Sequence, residues 1–439
     1  MMYKKMFTLI AGFFLITTLV FCEDTISTDL NVSVRAHTHE KIKIKLILVG
    51  KKSSRMLKIA ETIKNDLEFS GQFDVVMEYQ KKRADRKADI QSYFLPDCTL
   101  GLFLTQEKRN KSIGWRLYDL QYASMVQGAQ CKIKGKDSRS WAHKISDSIW
   151  PHLANEPGFF STKITYCKEK KREGKKSYKH VYIADYDGSN EQLLVSTPTI
   201  NVAPRWNNDP EHPLIFYSEH TNENVRLMLA DMKGRRKIVS NFDGLNVLSA
   251  FSLDGKKFAY CASRGDGYCQ IYYYVDRTLK RITDKGNNIS PTFADNGKTI
   301  YFCSDAKTGR PQIYKYEVAS GAMERISKGG FIVSTAFNEK KNLLAYAKMV
   351  KRLMQIFVYD PKTGTHRQLT SGPGNKEECS WSPCGNYLLF SVENKIGSGL
   401  AVFNLLTGEQ KIIQNMAQNC YYPSWSPFYN EFPCLRGPN

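Results

Sequence analysis

One short stretch returns along most of this chain: a small residue or proline, a spacer, a large aromatic, then a serine or turn residue. It reads Pro204-Arg205-Trp206, Ser249-Ala250-Phe251-Ser252, Pro291-Thr292-Phe293, Ser334-Thr335-Ala336-Phe337, Ser380-Trp381-Ser382-Pro383 and Tyr422-Pro423-Ser424-Trp425-Ser426-Pro427. The aromatic anchors lie 45, 42, 44, 44 and 44 residues apart. A period of 40–50 residues whose units read as strands is that of propeller blades. After each anchor comes a turn such as Leu253-Asp254-Gly255, then a second strand (Phe258–Cys261, Ile300–Cys303, Leu343–Ala347, Tyr387–Ser391). A third strand follows (Gln270–Val275, Gln312–Glu317, Gln355–Tyr359, Leu400–Asn404). Glycine turns such as Ser320-Gly321 and Thr363-Gly364 then lead to an outer strand; glycine supplies the positive φ of a tight hairpin.

The two ends of the array complete each other. Ile164–Cys167, His180–Tyr186 and Gln192–Val195 supply three strands with no anchor before them, and Trp425 is an anchor with no full unit after it. The expectation is five whole blades and one composite, making a six-bladed β-propeller over residues 158–439. Its C-terminal strand around Ser424-Trp425 closes the ring and removes open sheet edges.

Ahead of the array, the chain changes character three times. Lys4 and Lys5 precede an apolar run, Phe7 to Phe21, that is short for a membrane span and at the long end for a signal-peptide core. Residues 1–22 are therefore expected to be a signal peptide cleaved after Cys22; Phe21 argues against acylation of Cys22, which wants a small residue before it. Residues 23–40 read as a flexible polar arm, and the pair His37-x-His39 in it as solvated side chains rather than metal ligands. Residues 41–157 read as a small α/β domain. Ile42–Val49 and Phe73–Met77 are strands flanking a helix whose apolar residues Met56, Leu57, Ile59, Ala60, Ile63 and Leu67 recur near every 3.6 positions. Thr99–Thr105, Gly114–Tyr122 and Met125–Ile133 read as further strands, and a helix runs from Ser140 to Leu153. Gly50-Lys51-Lys52 lacks the partner glycine of a phosphate-binding loop.

The formal net charge of +20 points to acidic partners, a membrane surface or nucleic acid. The lysines are scattered and lack interleaved aromatics, however, so nucleic-acid binding is not expected. The densest run, Lys168 to Lys179, holds seven basic and two acidic residues and falls on a hairpin tip. Of eleven cysteines, Cys167, Cys261 and Cys303 fall at one repeat position that Ser218, Ala347 and Ser391 fill elsewhere, which marks a small buried site. Cys261 with Cys269, and Cys379 with Cys384, are near enough in sequence to pair. There is no CxxC, GxSxG, HExxH or EF-hand loop, and the eight histidines do not recur at one repeat position. No catalytic, cofactor or metal site is expected; an exported propeller hydrolase is the alternative.

One polar feature does recur. Asn201, Asn246 and Asn288 each lie five residues before their anchor, and Asn375 and Asn419 six before theirs. Asparagine there either accepts a turn conformation or belongs to a ring of loops that receives a partner. Leu245, Leu248, Ile289, Phe331 and Ile332 in these loops are apolar for loop positions, which suits a protein interface. Asn201, Leu245, Asn246, Leu248, Asn288, Ile289, Phe331 and Ile332 are the expected partner-binding residues.

The stretch Ile63-x-Asn65-Asp66-Leu67-x-x-Ser70-Gly71-x-Phe73 resembles a helix-to-strand segment of the TolB family, the periplasmic propeller proteins of the Tol–Pal system. His143-x-Ile145-Ser146-Asp147 followed by Pro157-Gly158-Phe159-Phe160-x-Thr162-Lys163-Ile164-x-Tyr166 resembles that family's domain junction, and the Pro-x-Trp/Phe-Ser-x-x-Gly repeats fit as well. The resemblance implies a non-enzymatic periplasmic adaptor that supports outer-membrane integrity and envelope constriction at division. It implies an arm, residues 23–40, that binds a TolA-type inner-membrane protein. It also implies a propeller face whose loops before the inner strands bind a Pal-type lipoprotein, with Leu245, Leu248 and Ile289 at contact positions. Ala250, Ala336 and Ser380 depart from the family's usual Pro or Thr.

Overall fold

The computed structural model describes residues 40–50, 53–81, 86–106, 112–132, 137–172, 175–264 and 267–429. The expected signal peptide, most of the arm and the pair His37 and His39 lie outside the described residues. Among those described, no helix is long and apolar enough to cross a membrane.

The first sheet is built from β1 (Ile42–Val49), β2 (Phe73–Gln80), β3 (Leu100–Gln106), β4 (Ser112–Asp119) and β5 (Ser124–Lys132), in the order β2-β1-β3-β4-β5. Both neighbours of β1 are parallel to it, and β3, β4 and β5 run antiparallel. Central β1 is buried on both faces, as its unbroken run Leu46-Ile47-Leu48-Val49 requires. Helices α1 (Ser54–Phe69) and α3 (Ser138–Ala154) pack together on one face. Ser53 caps α1 by accepting from the Met56 amide at 3.2 Å, and Asp137 caps α3 through the Arg139 and Ser140 amides. Gly71, at φ +73°, ends α1. Between β2 and β3 lies a short helix, α2 (Lys87–Gln91), whose Ile90 helps cover the opposite face with Phe103 and Leu120.

Beyond α3 the described residues form β-strands and their turns, with two single-turn 3-10 helices at Asp295–Gly297 and Met416–Gln418. Four successive four-stranded antiparallel sheets begin with Asn246–Phe251, Asn288–Ala294, Ile332–Asn338 and Asn375–Trp381. Before them, Ile200–Trp206, Leu214–His220, Val225–Asp231 and Arg236–Ser240 pair in order, as do Lys163–Arg172, Lys175–Asp185 and Gln192–Val195. The last strand, Cys420–Trp425, pairs antiparallel with Lys163–Arg172, Trp425 facing Ile164.

Each first strand is bulged where it meets its second strand. At five of the bulges a non-glycine residue has positive φ: Ala203, Ser290, Ser334, Glu378 and Tyr422. Just ahead of the bulge, Val202, Val247, Ile289, Val333, Glu377 and Tyr421 face Ser218, Cys261, Cys303, Ala347, Ser391 and Cys167. All six of the latter are buried, so the position read as small and internal is so throughout. Cys261, Cys379 and Cys384 carry thiols rather than disulfides, so neither of the two expected pairs forms.

Neighbouring first strands are clasped sideways in a repeating way. The Phe337 amide donates to Thr292 Oγ1 at 3.1 Å, and the Trp425 amide donates to Ser380 Oγ at 2.8 Å in the same register. Trp381 Nε1 donates to Ala336 O at 3.0 Å, and Trp206 Nε1 to Ser424 O at 3.2 Å. The lateral bonds that join Cys420–Trp425 to its two neighbours thus repeat those between interior neighbours. Trp206, Phe293 and Trp425 are buried, while Phe251, Phe337 and Trp381 are partly so.

The first domain rests on one end of these sheets. Asn404 Nδ2 donates to Ser70 O at 2.7 Å, and Asn386 Nδ2 to Glu156 Oε2 at 2.6 Å. Phe69 packs on Tyr186 and Tyr387 with ring centroids 4.8 and 5.7 Å apart. One apolar core runs from Ile59 and Ile63 through Trp150, Phe159 and Phe160 to Leu389 and Trp425.

Candidate interaction face

Antiparallel order places the starts of all first and third strands, and the ends of all second and fourth strands, at one end of the sheets. This end lies opposite the first domain, whose contacts are with Asp185, Tyr387 and Asn404 at the far strand ends. The loops singled out by sequence open here.

The three asparagines do not present their side chains to it. Asn201, Asn246 and Asn288 are at most 2% exposed. Asn246 Nδ2 donates to Val225 O and Phe242 O at 2.9 and 2.7 Å, and its Oδ1 accepts from Ser240 Oγ at 2.7 Å. Asn201 Nδ2 donates to Lys179 O and Thr197 Oγ1, and Asn288 Nδ2 to Lys285 O and Gln270 Oε1. Each amide fastens the preceding loop to its own sheet or the one before, because a buried carbonyl left without a donor is costly. The expectation that they touch a partner is corrected accordingly: they shape the loops from inside.

Register identifies the true equivalents of these residues in the other sheets. Asn246 faces Ala262 and Asn288 faces Ser304; in the same place Ile332 faces Lys348 and Lys376 faces Val392. Lys376 does the asparagine's work with a longer reach. Its Nζ donates to Pro373 O at 3.0 Å and lies 3.4 to 3.5 Å from Gly374 O and Gly372 O. Burial draws the ammonium down to about 8. Asn375, one place earlier, instead accepts the Met354 amide, and Asn419 is a left-handed residue ending a short turn. Ile332 is fully buried against Leu344 and Tyr346, so it too is removed from the contact set.

Leu245, Ile289 and Phe331 remain partly exposed on this face. Ile289 lies where three apolar clusters meet. The Leu248 side chain lies outside the described residues. Sequence reasoning missed a second set: Ile200, Phe242, Tyr268, Met349 and Ile396 are exposed at the same end. Most flank the turns between second and third strands, where an apolar residue beside glycine or charge is the only signal. The Arg264 guanidinium lies 3.5 Å from the Phe242 ring centroid and 4.4 Å from that of Tyr272. The Lys179 ammonium lies 4.1 Å from the centre of Tyr421.

Deeper in, the first strands carry charge. Burial, then Glu378 and Glu393, push the Glu377 carboxyl up to about 8. Glu378 is raised by burial and accepts the Tyr422 amide at 2.5 Å. Burial, then Lys179, lower His220 to about 4, so it is neutral at pH 7. Among the described residues no three His, Cys, Asp or Glu side chains group to hold a metal. Burial pushes the Cys303 thiol well up, and burial, then Glu377 and Glu378, does the same for Cys379, so neither is a nucleophile at neutral pH.

Residues 150–429 match the family described as TolB beta propeller domain. "Tol-Pal system protein TolB" of Gluconobacter oxydans (strain 621H) is 31% identical over 326 residues, 71% of this chain and 70% of that protein. The protein of the same name from Rickettsia prowazekii (strain Madrid E) is 28% identical over 208 residues, 45% of this chain and 46% of that one. The chain thus spans between about half and seven-tenths of these relatives' length. The crystal structure of TolB from Acinetobacter baumannii superposes with a TM-score of 0.76 at 22% identity, covering 90% of this chain and 99% of that one; at that identity the likeness speaks to fold. With the match covering most of the chain and a relative above 30% identity, the chain belongs to the TolB β-propeller family.

Proposed function

We propose that this chain is a non-catalytic periplasmic adaptor of a Tol–Pal system. In this reading residues 41–157 form the first domain and residues 158–439 a six-bladed propeller closed by Cys420–Trp425. The face opposite the first domain receives a Pal-type lipoprotein. Residues 23–40, after removal of residues 1–22, engage a TolA-type inner-membrane protein, and the assembly supports outer-membrane integrity and constriction at division. No cofactor, nucleic acid or direct membrane insertion is invoked.

The observation that carries the reading is the build of the face. Its loops are pinned from within by Asn201, Asn246, Asn288 and Lys376, while Leu245, Ile289, Phe331 and Phe242 are left at its surface. Rigid loops carrying apolar side chains lose little freedom on docking, which favours binding a folded partner. Calorimetry with the soluble domain of a Pal-type lipoprotein from the same genome tests it. Ile289→Glu or Leu248→Glu should weaken binding at least tenfold, about 1.4 kcal/mol, by placing charge in an apolar contact. Unchanged affinity for both variants sinks this location. Deleting residues 23–40 should abolish binding of a TolA-type domain and leave the lipoprotein's affinity intact; loss of both contradicts separate sites.

A further inference from the structure

At the junction of the two domains one histidine is held between two carboxylates. His143, on α3, is 1% exposed. Its Nδ1 lies 3.0 Å from Asp66 Oδ2, on α1, and its Nε2 lies 3.4 Å from Asp185 Oδ2, at the end of propeller strand Lys175–Asp185. A neutral imidazole carries one N–H, so one of these carboxylates would face a lone pair. Only the imidazolium satisfies both.

The surrounding charges agree. From α3, Arg139 Nε lies 2.5 Å from Asp185 Oδ2 and its Nη2 lies 2.6 Å from Asp187 Oδ2. From strand Lys163–Arg172, the Lys163 ammonium pairs with Asp185. Ser146 Oγ and Tyr186 OH donate to Asp66 at 2.6 and 2.8 Å. Asp147, also on α3, is turned to the Phe160 and Ser161 amides. With His143 protonated, the cations Arg139, His143 and Lys163 balance the carboxylates Asp66, Asp185 and Asp187. Without that proton the buried Asp185 loses one of its three cationic partners.

We propose that His143 is a protonation-controlled latch between the domains, its imidazolium bridging Asp66 of the first domain and Asp185 of the propeller. Asp185 keeps Arg139 and Lys163 when the ring is neutral, so the proton given up is the one on Nε2; His143's own bond across the junction fails, while that of Arg139 remains. Burial disfavours the charged ring, but Asp66, then Asp185, outweigh it and push the group up to about 9. The sign follows: a raised histidine contributes its full stabilisation below its ordinary value near 6.5 and loses it as pH rises through about 9. The latch does not depend on what the propeller face binds.

Nitrogen-detected NMR of the full chain should find both ring nitrogens of His143 protonated at pH 7. Hydrogen exchange, corrected for its intrinsic pH dependence, should show α1 and α3 losing at least tenfold protection between pH 7 and pH 10 relative to Thr299–Ser304. In His143→Gln that difference between the two pH values should vanish. A neutral ring at pH 7, or the same pH response in His143→Gln, overturns the proposal. Should His143→Gln not fold, Asp185→Asn gives the decision: it should lower the ring's titration midpoint by at least one pH unit, and an unmoved midpoint refutes the bridge.

Discussion

At the scale of single residues, an asparagine's amide can serve a loop or a partner, and spacing does not say which. Asn288 shows the outcome: its Nδ2 is surrounded by Cys269 O, Gln270 Oε1, Lys285 O and Gly286 O. Asn288→Ala should therefore cost about 1–3 kcal/mol of stability in chemical denaturation, because it leaves buried acceptors without a donor. Ile289→Glu should affect binding more than stability. A stability loss at residue 289 larger than at residue 288 would reverse the two roles. The apolar loop residues were legible in the sequence because Leu245, Ile289 and Phe331 fall between strands, where polar side chains are the rule. The role of Lys376 was not, since a lysine one place after Asn375 looks solvated until register puts its ammonium among three carbonyls.

At the scale of elements, the period of the anchors was enough to place almost every strand, because strand, turn and glycine recur together in each unit. What the period did not carry is the bulge. Nothing in Ser290, Ser334, Glu378 or Tyr422 marks a residue with positive φ; the turn is imposed by pairing with the next strand. Replacing Ser334 by Val, which tolerates that conformation poorly, should destabilise the chain by about 1–3 kcal/mol, and Ser334→Gly should not. The anchors can also be ranked. Trp425 is buried, its Nε1 donates to Thr162 Oγ1 at 2.9 Å, and its amide is held by Ser380. Trp425→Ala should cost about 3–5 kcal/mol. The partly exposed Phe251 should cost less on the same substitution in parallel thermal melts.

At the scale of the whole molecule, the contact between domains was the least legible feature. The motif around His143 pointed to a junction, but the partners of His143 come from residues 66 and 185, and no local pattern links those positions. Their consequence is a pH profile. His143, raised to about 9, loses its contribution above about 6.5, and Glu377, raised to about 8, penalises the folded state increasingly as pH rises from about 4.5 through 8. Lys376, lowered to about 8, works the other way above that pH. Stability to denaturant should fall between pH 6 and pH 8. Glu377→Gln should flatten part of that fall and His143→Gln another part. A flat profile in the unaltered chain would contradict both assignments.

The pairing of Cys420–Trp425 with Lys163–Arg172 also sets a timetable. Cys420 faces Lys168, so one strand waits for a partner synthesised 252 residues later. Throughout that interval Lys163–Arg172 has a bare edge able to pair with any extended chain nearby. The slow step of folding should then be the arrival of Cys420–Trp425, because contacts this distant in sequence form late. Nascent chains halted before residue 420 should be bound by holdase chaperones and cleaved readily by protease. Chains released after residue 429 should escape both.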